Sequence, residues 1–121
     1  MSKLILVVED QEDNRRILRD LLTNSGYEVI EAVNGLDGVS SAETYRPDLI
    51  LMDIQLPGID GYEATRQIKA NPDLNKIPII AVTSYALSGD DQKAFVAGCD
   101  DYVTKPFSPR ELLAKIRDYL P

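Results

Sequence analysis

Glu9 and Asp10 follow the apolar run LILVV, Asp53 follows LILM, Thr83 follows IIAV and Lys105 follows DYVT. Three carboxylates, a hydroxyl and an ammonium, each at the end of a strand-length run, can do chemistry together if those runs share one sheet edge. In an open parallel sheet they do, because all strands end on the same side and ligands bind outside that edge where the strand order reverses. If the strand order is 2-1-3-4-5, Glu9, Asp10 and Asp53 converge at that point, and Thr83 and Lys105 approach from the other side. Gathering three carboxylates is costly. Two unit charges about 5 Å apart at an effective dielectric of about 20 repel by roughly 3 kcal/mol, so either one carboxylate is protonated or a cation sits among them. With no histidine and a single cysteine in the chain, the donors are oxygens, which excludes zinc and points to a hard cation. A small open site that keeps waters favours magnesium over calcium. Magnesium beside a carboxylate, with a lysine and a hydroxyl opposite, supplies what phosphoryl transfer needs: a nucleophile, charge neutralisation and donors for the equatorial oxygens.

Each residue also has a plain structural reading. Glu9 and Asp10 can cap a helix whose first turn already carries Glu12 and Asp13. Asp53, ahead of IQLPG, can start a turn. Thr83 can be ordinary packing, and Lys105 a surface lysine ending an edge strand. The five at a common edge are much harder to explain this way than any one alone.

The elements that must position these residues are legible as alternating runs. Strand-length segments fall at 4 to 8, 28 to 32 (EVIEA), 49 to 52, 79 to 82 and 101 to 104, with helix-length segments between them, the alternation of a parallel sheet covered by helices. The first, third and fourth runs are almost wholly apolar, as central parallel strands buried on both faces require. The second, where Glu28 and Glu31 flank Val29 and Ile30, reads as an edge. Ile17, Leu18, Leu21 and Leu22 form the apolar stripe of the first helix, and Gly26 stops it. SPRE at 108 to 111 is a capping box with proline in the first turn, ahead of a stripe of Leu112, Leu113, Ile116 and Leu120. The segment from Asp90 to Ala97 has the weakest stripe.

At 121 residues, 44% hydrophobic and 27% charged, the chain is expected to form one domain over residues 1–121. No run approaches the roughly 20 apolar residues of a membrane span, and MSKLILVVED lacks the long apolar segment and cleavage site of a signal peptide; the expected location is the cytoplasm. A net charge of -7 disfavours direct nucleic-acid binding, which draws on Lys and Arg neutralising phosphates. Cys99 is unpaired and reads as a small, partly buried hydrophobe. A methionine just before the first strand argues against a domain that trails a longer protein, while the end at Pro121 is equally compatible with a natural terminus and a cut.

The segments VVEDQEDNR, DLILMDIQLPGIDGYE, AVTSYA and AGCDDYVTKPF, in that order and spacing, resemble the receiver domain of two-component response regulators over the whole chain, in particular its stand-alone, chemotaxis-regulator-like members. The resemblance implies a doubly wound, flavodoxin-like α/β fold, with five parallel strands in order 2-1-3-4-5 and five helices. It implies Asp53 as phosphoacceptor, Asp10 and Asp53 as direct Mg2+ ligands, Glu9 as a ligand through water and the backbone carbonyl of Gln55 as another. Lys105 and Thr83 would hold the phosphoryl oxygens, with a cis Lys105–Pro106 peptide. Tyr102 falls at the switch position that acts with Thr83. Tyr85 is bulkier than is usual two residues after the threonine. The implied partners are a sensor histidine kinase or histidine phosphotransfer protein and a downstream target on the helix 4, strand 5 and helix 5 face.

Two other readings fit less well. An aspartyl phosphatase wants a second aspartate two residues after the nucleophile, and that position is Gln55. A flavin carrier needs hydroxyls and amides in its first loop, where EDQED would repel a phosphate; nor is there a glycine-rich run ending in Gly-Lys-Ser/Thr. The expected protein is a phosphoacceptor signalling domain with self-catalysed phosphorylation and dephosphorylation, not an enzyme acting on a separate substrate.

Overall fold

The computed structural model describes residues 2–83 and 90–121. In chain order it contains β1 (Leu4–Val8), α1 (Glu12–Asn24), β2 (Glu28–Ala32), α2 (Gly35–Tyr45), β3 (Leu49–Asp53), α3 (Gly61–Ala70), β4 (Ile79–Thr83), α4 (Asp90–Ala97), β5 (Asp101–Thr104) and α5 (Pro109–Tyr119). The strands form one parallel sheet in the order β2-β1-β3-β4-β5, so the fold is flavodoxin-like. β3 and β4 are buried at every position, as their unbroken apolar sequences require, whereas Glu28 on the β2 edge is exposed.

Side chains alternate across a strand, and the core divides accordingly. Ile5, Val7, Leu49, Leu51, Ile80 and Val82 face α1 and α5, meeting Leu18, Leu22, Leu112 and Ile116. Leu6, Val8, Ile50, Met52, Ile79 and Ala81 face the other way, toward Ala42 of α2, Ala64 and Ile68 of α3 and Ala94 of α4. Among the described residues no helix is long and apolar enough to cross a membrane.

Helix ends follow local chemistry. Ser108 accepts the Glu111 amide at 3.0 Å with Pro109 in the first turn of α5, and Asp60 accepts the Glu63 amide at 2.9 Å at the start of α3. Gly26, at φ 93°, closes α1 in a conformation that costs an L-residue about 1 kcal/mol or more. The α1 stripe departs from expectation at one position. Leu18 and Leu22 are buried, but Ile17 is 59% exposed. Neighbouring helical residues point about 100° apart, so a helix lying on a flat sheet cannot bury Ile17 and Leu18 equally. Ile17 instead lines a groove with Leu21, Phe107 and Pro109. The weak stripe of α4 has a direct counterpart: Ala94 and Ala97 are buried, while Phe95 and Val96 are exposed.

Candidate functional site

Val8 of β1 lies opposite Met52 of β3, so the residues that follow each, Glu9 and Asp53, leave adjacent strands side by side. Both are almost wholly enclosed, at 1% and 4% exposure. Such burial of carboxylates demands partners, and each has them. Glu9 Oε2 accepts the Gln11 amide at 3.2 Å, and Asp53 Oδ1 accepts the Gln55 amide at 3.0 Å. Their other oxygens converge on one ammonium: Lys105 Nζ donates to Glu9 Oε1 at 2.7 Å and to Asp53 Oδ2 at 3.2 Å. The turn reading of Asp53 is thus also true, but it occupies only one of its two oxygens.

The third carboxylate joins them. Oxygens of Glu9, Asp10 and Asp53 lie within 4.8 Å of one another, a separation at which each like-charge pair repels by roughly 3 kcal/mol at an effective dielectric of about 20. Lys105 relieves part of this. Burial alone would push its ammonium down, but the hydrogen bond to Glu9 and the charge of Asp53 outweigh that and raise it above its ordinary 10.5. Three carboxylates and one ammonium leave a pocket with surplus negative charge and only oxygen ligands, a donor set suited to a small divalent hard cation.

Backbone geometry brings the remaining residues in. Lys105 N donates to Thr83 O at 2.6 Å, carrying the β4–β5 pairing one residue past the paired threonines Thr83 and Thr104. Lys105 thereby enters from the strand beyond β4, through a cis Lys105–Pro106 peptide. Thr83, 6% exposed, ends β4 beside β3, whose Asp53 pairs with Val82. Gln55 is exposed and anchors Asp53 through its amide. Tyr102 stands apart from the acids: it packs partly buried on the core that includes Ala94, its ring edge-on to Phe95 at 6.0 Å and 82°. Tyr85 lies outside the described residues.

Two contributors escaped the sequence reading. Gly61, the first residue of α3, donates its amide to Ile54 O at 2.9 Å, and a Cβ there would stand 2.2 Å from Asp53 O. Arg15, in the first turns of α1, reaches back with Nη1 to the carbonyls of Glu9 at 2.9 Å and Asp10 at 3.0 Å. The signals were present as the Asp60–Gly61 pair opening a helix and an arginine five residues after Asp10, but neither spacing names its contact.

Residues 5–117 match the family model of the response regulator receiver domain. The chain belongs to that family. The receiver is 45% identical to the polar-differentiation response regulator DivK of Brucella anthropi, over 99% of this chain and 98% of that protein. It is 43% identical to DivK of Brucella ovis over the same shares. Among solved structures, it resembles the receiver domain of the sensor histidine kinase PA1611 from Pseudomonas aeruginosa, at 41% identity and a TM-score of 0.92, covering 99% of this chain and 98% of that one; that structure holds a magnesium ion in its active-site cleft. The beryllofluoride-activated DrrB receiver domain is 31% identical, with a TM-score of 0.89 over 99% and 98%. The receiver is a phosphoacceptor module of two-component signalling, a family that works with histidine kinases and downstream targets.

Proposed function

We propose that this receiver, acting as one domain over residues 1–121, accepts a phosphoryl group on Asp53 from the phosphohistidine of a sensor kinase or a histidine phosphotransfer protein. The observation that carries the assignment is Lys105 Nζ held between Glu9 and Asp53 at 2.7 and 3.2 Å, with all three carboxylates inside one 4.8 Å cluster. Glu9, Asp10 and Asp53, with the carbonyl of Gln55, would hold Mg2+, Glu9 through a water. When bound, the ion neutralises the carboxylates and the incoming phosphoryl oxygens. Asp53 supplies the nucleophile: a carboxylate oxygen bonds to phosphorus while the phosphorus–nitrogen bond breaks and its electron pair returns to the donor imidazole. The Gln55 amide fixes the carboxylate plane through Oδ1. Lys105 has three N–H donors, and with Thr83 it binds the equatorial oxygens of the group in transit. The same residues serve autophosphorylation from small donors and self-catalysed hydrolysis.

The proposed output route runs from Thr83 to Tyr102 and the surface of α4, β5 and α5, where a downstream protein would bind. α4 supports this reading because its buried side chains among the described residues are alanines, so little apolar area opposes its displacement. The proposed location is the cytoplasm, and the net charge of -7 disfavours direct nucleic-acid contact. Asp53→Asn tests the acceptor assignment. Incubated with acetyl phosphate and Mg2+, the unaltered chain should gain an acid-labile, hydroxylamine-sensitive phosphoryl mass increment, and the variant should gain none. Labelling of the variant at the original rate would move the acceptor to another residue.

A further inference from the structure

We propose that Arg15 is a positioning residue for the metal-binding loop, setting the direction of Asp10 by clamping the backbone behind it. The inference rests on the reading of Glu9, Asp10 and Asp53 as a Mg2+ site. One guanidinium nitrogen, Nη1, donates to the carbonyls of both Glu9 and Asp10, at 2.9 and 3.0 Å. Two consecutive peptide planes are thereby turned toward one cation. Arg15 is itself held, its Nε 3.5 Å from Glu31 Oε1 with its side chain 17% exposed. Glu31 sits on β2 and is further engaged by Arg19 Nη1 at 3.2 Å. The chain of contacts runs from an edge strand through Arg15 to the loop that carries the acids.

Asp10 depends on this clamp more than its neighbours do. Glu9 and Asp53 are enclosed and tied to Lys105, whereas the Asp10 side chain is half-buried and meets, among the described residues, only the exposed side-chain amide of Gln11, Nε2 to Oδ2 at 3.3 Å. Its aim is consequently set by the backbone, and Arg15 is what the backbone leans on. Lysine would not reproduce the arrangement, because an ammonium lacks the planar fork that serves two carbonyls and a carboxylate together.

Charge and position predict opposite signs, which makes the role testable. Arg15 is a cation near a cation site, so if charge were its only influence, Arg15→Gln would tighten Mg2+ binding and Arg15→Lys would leave it unchanged. A positioning role predicts that both weaken it, by about tenfold or more for Arg15→Gln, the range seen when outer supports of metal ligands are removed. Glu31→Gln, which loosens the clamp without touching the loop, should weaken it by a smaller factor.

The experiment is calorimetric titration of the unphosphorylated full chain and the three variants with MgCl2, at a temperature where thermal melts show each folded. If Arg15→Gln does not fold, Arg15→Lys, which keeps the charge and loses the fork, decides the question. Weaker binding in the folded variants is the expected result. Affinity equal to or tighter than that of the unaltered chain, with or without a lowered melting temperature, would reduce Arg15 to a scaffold contact and overturn the inference. If the unaltered chain itself takes up no Mg2+, the site reading fails first and the positioning role falls with it.

Discussion

Replacing Gly61 by alanine should damage phosphorylation from outside the pocket. The added Cβ would stand 2.2 Å from Asp53 O, 2.7 Å from Ile54 Cα and 2.9 Å from Asp53 C, where ordinary contact begins near 3.4 Å. All three neighbours are backbone, so no side-chain rotation can relieve the clash, and either α3 or the end of β3 must retreat by about an ångström. Overpacking of this kind costs roughly 1 to 3 kcal/mol, equivalent to a fall in melting temperature of about 4 to 15 °C for a chain this size. Any part of the shift absorbed by Asp53 displaces the nucleophile relative to Lys105, and a misplacement of about 1 Å can cost roughly a hundredfold in rate. The assay is the initial rate of acetyl-phosphate labelling with Mg2+, at a temperature where the variant is fully folded. Gly26→Ala is the control: its φ of 93° also penalises a side chain, but nothing lies within 4 Å of the added atom and the turn is remote from the acids. It should lose stability and keep its rate. If Gly61→Ala labels as fast as Gly26→Ala, the close approach of α3 does not set the position of Asp53.

Lys105→Met should lower stability in chelator by about 3 kcal/mol, because it leaves buried Glu9 and Asp53 facing each other without their shared ammonium. An unchanged urea midpoint would refute that. Cys99 should resist alkylation in the native state at neutral pH, since burial, only partly offset by the hydrogen bond with Thr65, raises its thiol from 9.0 to about 11. A thiol raised on folding favours the native state fully below about pH 9, and the benefit is lost as pH climbs toward 11. Cys99→Ala should therefore lose less stability than the unaltered chain across that interval, and parallel pH profiles would refute the linkage.

The strands, the glycine stop at Gly26 and the Ser108 capping box were legible because each is written in a few adjacent residues whose chemistry is local. The acid cluster was legible for a different reason: once parallel strands share an edge, residues ending them must meet. Contacts that depend on how far one element sinks against another were not. Ile17 belongs to a correct apolar period yet faces solvent, because the arc a helix buries depends on the neighbours beside it. The sequence puts Lys105 at the same edge as the acids, but its bridge to Glu9 and Asp53 depends on side-chain length and the end of β5. Gly61 and Arg15 act through backbone carbonyls, which every residue possesses, so residue type alone carries no trace of them.

The hydrogen bond from Lys105 N to Thr83 O has a consequence for how this site tolerates insertion and deletion. Both residues proposed to grip the phosphoryl group hang from one ladder, and the side-chain period of a strand is two. Adding or removing a single residue between Tyr102 and Lys105 would either turn the lysine to the opposite face or carry Tyr102 out of step with Phe95. Grip and readout share one register, so neither can drift in length independently of the other. Variation among chains built this way should accumulate in the turns at the far edge of the sheet, while the distance along β5 from Tyr102 to Lys105 stays constant.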